Sequence, residues 1–102
     1  NSCSLASDYG GSCAGTGAPD AVFAWTAPTS GTWNFDLFNS GFDTSLYVRS
    51  ASCTGSEVDC DDDYWGVAGA SYFSASLTAG LYYVFVDGYG SGDCGSYQLD
   101  IY

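Results

Sequence analysis

The chain has 102 residues, 46% hydrophobic and 18% aromatic, with a formal charge of -11 and a single basic side chain, Arg49. That length holds one domain with a two-layer core, and the aromatic content excludes a disordered chain. The charge excludes nucleic acid and anionic membranes as partners, and no run approaches the roughly 18 apolar residues of a membrane-spanning helix.

The first twenty residues are rich in Ser, Gly and Ala, without a sustained period, and read as irregular chain held by a disulfide rather than by burial. The first predicted strand is Ala21–Thr26, ended by Pro28 and a Ser30-Gly31 turn. Residues Thr32–Phe38 alternate apolar and polar, which puts Trp33, Phe35 and Leu37 on one face. Strands are also predicted over Thr44–Arg49, Glu57–Cys60, Ser71–Leu77, Leu81–Val86 and Ser96–Tyr102. The fifth of these seven, Ser71–Leu77, is closed by Thr78-Ala79-Gly80. Leu81–Val86 is apolar throughout and rich in β-formers, as the central strand of a sandwich is. No window carries a helical period. Seven short strands separated by turns specify an all-β fold, a jelly-roll-like antiparallel β-sandwich in one domain.

Five cysteines in a short acidic chain point to an oxidising compartment, and no pair has the two-residue spacing of a zinc site. Cys53 and Cys60 flank Thr54-Gly55-Ser56, and Cys3 and Cys13 flank Tyr9-Gly10-Gly11, so each pair is placed to close a loop. Bridges there would stabilise by roughly 2.5–2.8 kcal/mol each. About fifteen arrangements of two bridges and one thiol remain open on spacing alone. In the favoured arrangement Cys94 is left over, either buried as a free thiol or available for an intermolecular bridge.

The densest chemistry is Val58-Asp59-Cys60-Asp61-Asp62-Asp63-Tyr64-Trp65-Gly66, where four of the twelve acids fall within five positions. Like charges this close repel, and a chain with one cation has little to offset them. A bound cation would relieve the repulsion, and oxygen-only ligands select calcium ahead of magnesium. A solvated acidic turn is the plainer reading of the same run. Asp59, Asp61 and Asp63 mimic positions one, three and five of an EF-hand loop, but Tyr64 and Ala70 stand at positions six and twelve instead of Gly and Glu. The expected site is therefore a loop site completed by Asp43, Asp87 or backbone carbonyls.

Several stretches carry a family resemblance. They are Ala18–Phe23 running to Thr26-Ala27-Pro28, Ser30-Gly31-Thr32, Phe42–Arg49, Cys60–Asp63, Leu77–Gly80 through Asp87-Gly88-Tyr89-Gly90, and Gly95–Leu99. In that order they resemble the bacterial pre-peptidase C-terminal domain, in its cysteine-containing secreted form, over residues 17–102. Residues 1–16 then form a separate irregular segment. The resemblance implies a secreted, non-catalytic, jelly-roll-like sandwich, and in collagenases similar domains bind calcium and the insoluble substrate. It directs attention to Asp62, Asp63 and Asp43, and to Asp20, which matches an acid lying near calcium in some relatives. Asp61 departs from the family, where asparagine is common, and the N-terminal acidic ligands of the collagenase members have no counterpart in Asn1–Gly17.

Catalysis finds no support: a serine or cysteine nucleophile needs an activating base, and the chain has neither histidine nor lysine. Trp25, Trp33, Phe35, Phe73, Tyr83 and Phe85 are expected in the core, and Tyr64, Trp65, Tyr82 and Tyr89, in or beside turns, on the surface. Two functions follow as expectations. One is a calcium-binding structural subunit that self-assembles into an extracellular filament or surface layer through the odd cysteine and calcium bridges. The other is a monomeric extracellular binding module for polysaccharide or matrix protein, anchored by exposed aromatics. Both place the protein outside the cell or on its surface.

Overall fold

Alternation of side chains is the organising rule of the structure, a computed structural model that describes residues 12, 20–38, 40–52, 55–61, 71–88, 90 and 94–102. Among these residues seven strands form: β1 (Ala21–Ala27), β2 (Gly31–Asp36), β3 (Thr44–Ser50), β4 (Glu57–Asp61), β5 (Tyr72–Leu77), β6 (Gly80–Gly88) and β7 (Asp100–Ile101). They make a four-stranded sheet in the order β1-β6-β3-β4 and a three-stranded sheet in the order β5-β2-β7, every pairing antiparallel. The chain crosses from one sheet to the other after β1, β2, β4, β5 and β6, as in a jelly-roll-like sandwich. The final strand is shorter than its sequence predicts: only Asp100 and Ile101 are in strand, although Tyr102 still exchanges both backbone bonds with Asn34 at 2.7 and 3.0 Å.

The inward row of the larger sheet carries Leu46 and Val48 of β3 and Val84 and Val86 of β6, all fully buried. Phe35 of β2, Leu37 just past it, and Phe73 and Leu77 of β5 meet them. An aromatic ladder ties the layers together: Trp25 packs edge-on against Trp33 and Phe35, with ring centroids 5.2 and 5.4 Å apart, and Phe35 packs on Phe73 at 5.1 Å. Offset and edge-on pairs of this kind add about 0.5–1.5 kcal/mol beyond their buried area. A buried polar clasp reinforces one end, where the Thr44 and Ser71 hydroxyls lie 2.8 Å apart and Ser71 also donates to the Thr44 carbonyl at 3.0 Å.

Two expectations about aromatics are corrected. Tyr82 is no surface residue: the β1–β6 register sets it opposite Trp25 in the core, 7% exposed, its hydroxyl donating to the Thr78 carbonyl at 2.8 Å. Tyr83, expected in the core, points to the outer face of the larger sheet and is half-buried, because β6 alternates like any strand. Phe85 is buried, but on that same outer face, stacked on Tyr47 at 4.6 Å and 9°. Tyr64, Trp65 and Tyr89 lie outside the described residues, as does the proposed boundary between residues 16 and 17.

Candidate functional site: the acidic end of the four-stranded sheet

The outer face of the larger sheet is buried at one end and open at the other. Ala24, Thr26 and Leu81 are exposed, whereas Ser45, Tyr47, Phe85, Asp87 and Asp20 are buried. The register explains how three polar residues came together at the buried end. Ser45 of β3 stands opposite Asp87 of β6, and one step beyond the Ala21–Val86 pair places Asp20 on the other side of Asp87. Asp43 lies at the same end, immediately before β3, with its Oδ1 buried.

Asp87 is the centre of this group. Its Oδ2 accepts the Tyr47 hydroxyl at 3.0 Å and its Oδ1 accepts the Gly88 amide at 2.8 Å, while the Ser45 hydroxyl donates to the Gly88 carbonyl at 3.3 Å. Burial pushes the Asp87 carboxyl up to about 6; the bonds from Gly88 and Tyr47 oppose the rise and the Asp20 charge adds to it. Burial likewise pushes the Tyr47 phenol up, helped by the Asp87 and Asp20 charges, with Arg49 acting the other way. Arg49 lies flat over Phe85 and Tyr47, its guanidinium carbon 5.0 and 5.3 Å from their centroids. The site is therefore oxygen-rich, anionic and sheltered, the donor chemistry that suits a hard cation. Two neighbouring buried carboxylates are its nucleus. Among the described residues no three acids or thiols gather closely enough to chelate a metal by themselves.

The expected loop ligands behave differently. Asp59 and Asp61 stand opposite Val48 and Leu46 on β4, so both face the sandwich interior. Asp59 accepts the neighbouring Cys60 amide at 2.8 Å, and Asp61 accepts the Tyr72 amide at 2.9 Å, linking β4 to the start of β5. They serve as backbone caps, and the structure does not bring them to Asp20 and Asp87. Asp62 and Asp63 lie outside the described residues. Tyr47 is the member that sequence reasoning missed, since nothing in an apolar strand run marks a tyrosine as the partner of an acid forty residues away.

The cysteines also require a correction. Cys60 and Cys94 are both disulfide-bonded. Cys94 is thus not the leftover thiol of the five, and it offers no free sulfur to another chain. Cys3, Cys13 and Cys53 lie outside the described residues, but Ser12 donates from its amide (2.9 Å) and its hydroxyl to Glu57, which sets residue 12 against the start of β4. Comparison of the chain with family models, with curated proteins and with solved structures finds no match.

Proposed function

We propose that this protein is a secreted, non-catalytic β-sandwich that binds calcium at the acidic end of its larger sheet and works as an extracellular binding module. The single observation that carries the calcium reading is the side-by-side burial of Asp20 and Asp87, one carboxyl of which is held up near 6 by desolvation and by the other's charge. A divalent cation replaces that repulsion with attraction. Asp20 and Asp87 would hold it, with Asp43 as a further oxygen donor. The resemblance to pre-peptidase C-terminal domains supports the same assignment at Asp20 and Asp43. A non-catalytic role is supported by the missing bases and by the buried, hydrogen-bonded state of the Ser45 and Ser71 hydroxyls.

Disulfide bonding of Cys94 takes away the thiol that the filament reading assigns to assembly, so a covalent link between subunits would have to draw on another of the five cysteines, whereas the monomeric module needs none. The self-assembling subunit keeps one observation of its own. The edge strands β1 and β4 of the larger sheet carry exposed Phe23 and Val58, which a second copy could cover. Sedimentation velocity on the non-reduced chain in calcium and in chelator tests both readings. A monomer in both, with a melting temperature raised by calcium, is the expected result. A calcium-dependent polymer would favour the subunit, and an unchanged melting temperature would remove the calcium site.

A further inference from the structure

On the opposite side of the sandwich the smaller sheet presents a flat outer face of rings and neutral polar groups. Alternation places Asn34 and Asp36 of β2, Tyr72, Ser74 and Ser76 of β5 and Asp100 of β7 on this face. Tyr102, paired with Asn34, extends it. Phe38, just past β2, stacks on Tyr72 at 5.6 Å and 14°. Phe38 is 37% and Tyr102 57% exposed, so both rings meet solvent despite lying beside a packed sheet.

The rings are held in place. The Tyr72 hydroxyl donates to Asn34 Oδ1 at 2.7 Å, and Asn34 Nδ2 donates to the Tyr102 carbonyl at 3.1 Å. The Tyr102 hydroxyl is bonded to Asp36, which raises its pKa above the ordinary phenol value. Both carboxylates of the face are thereby engaged within the molecule. Asp36 is buried and also accepts the Phe38 amide at 3.3 Å, and Asp100 takes the Gln98 side-chain amide on its two oxygens at 3.3 and 3.0 Å. What remains facing water is aromatic surface fringed by the exposed Thr32, Ser74, Ser76 and Gln98.

We propose that this face binds a neutral polysaccharide chain laid across the three strands, with the Tyr72–Phe38 pair and Tyr102 stacking against its sugar rings. The proposal names the partner of the binding module and rests on that reading. A pyranose offers an apolar C–H face and a rim of hydroxyls, which fits fixed rings bordered by neutral donors and acceptors. Charge decides among other partners. A polyanion is repelled by a chain of net charge -11, and binding that survives high salt separates a neutral glycan from a polycation drawn by that charge. A protein anchored by a hot-spot side chain needs a pocket, and none opens among the described residues. Tyr72 and Tyr102 lie on either side of β2, two strand spacings or roughly 10 Å apart, about the length of a disaccharide.

The test is retention of the full chain, in calcium, by insoluble cellulose and chitin, by xylan and mixed-linkage β-glucan in affinity gels, and by denatured collagen. Retention by at least one of these glycans, unchanged in high salt, is expected. Tyr102→Ala and Phe38→Ala should each weaken it about tenfold. Thr26→Ala, on the opposite sheet, should leave it intact. The melting temperature and calcium response of each variant separate lost binding from lost folding. Absence of retention by every one of these glycans, retention on collagen alone, or retention surviving both ring deletions would overturn the proposal. If only the calcium response fails while the glycan is still held, the acidic end is misassigned and this face stands.

Discussion

Asp87 lies on the central strand β6 between Asp20 and Ser45, and its carboxyl is raised from 3.8 to about 6 in the folded chain. The folded state thus holds this proton more tightly than the unfolded state does. The stability linked to it is complete below pH 3.8 and disappears as pH rises through about 6. At neutral pH the ionised carboxylate therefore costs on the order of 2 kcal/mol. Asp87→Asn removes the charge while keeping an acceptor for the Tyr47 hydroxyl. In chelator at pH 7.5 it is expected to melt several degrees higher than the parent, and to lose the calcium response. A variant that melts lower, or that still responds to calcium, would show that the carboxylate is not the liability described here. The sequence could name Asp20 and Asp43 through the family resemblance, and Asp87 as a residue able to complete a loop site. It could not show that the first and last are neighbours, because their contact exists only once β1 has paired with β6 across more than fifty intervening residues.

At the scale of elements, the strands were legible wherever hydrophobic period and turn residues agreed. β1, β3, β4 and β5 fall within a residue or two of expectation, and the apolar Leu81–Val86 run does become an interior strand, flanked by β1 and β3. The misreadings have local causes. Closeness to a turn suggests an exposed Tyr82, yet side-chain direction in a strand follows alternation, and alternation sends it inward. The last strand shrinks to Asp100 and Ile101, laddered to Asp36 and Phe35 of β2, with Tyr102 continuing the backbone pairing at Asn34. Among the described residues the β3–β4 hairpin carries a tight backbone. Ala51 turns with φ 68°, Ser50 donates to the Ser56 carbonyl at 3.0 Å, and a Cβ at Gly55 would run into the Ser50 carbonyl oxygen. That contact is backbone and cannot rotate away. Gly55→Ala is accordingly expected to destabilise by about 1–3 kcal/mol, lowering the melting temperature by several degrees in calorimetry. A neutral effect would mean that this loop relaxes freely.

For the molecule as a whole, composition anticipated a sandwich carrying more negative charge than it can neutralise, with one arginine against twelve acids. Among the described residues the acids meet different fates. Asp59 and Asp61 cap backbone amides, Asp36 and Asp100 are engaged by side chains of the smaller sheet, and Asp20 and Asp87 share a buried end. The acidic run at residues 59–63 stands out because density is visible in a sequence, whereas burial, which raises the Asp87 carboxyl, is not. Calcium at that end couples to pH through Asp87. With affinity of about 10⁻⁴–10⁻³ M, usual for extracellular modules, about 10 mM calcium should stabilise by roughly 1.4–2.7 kcal/mol. The most direct measurement is calorimetric melting of the intact chain at pH 5 and pH 7.5, each with calcium and with chelator. The stabilisation by calcium should be large at pH 7.5 and much smaller at pH 5, where a proton takes the cation's place on Asp87. An equal calcium effect at both pH values, or none at either, would contradict the assignment of the Asp20–Asp87 pair as the cation site.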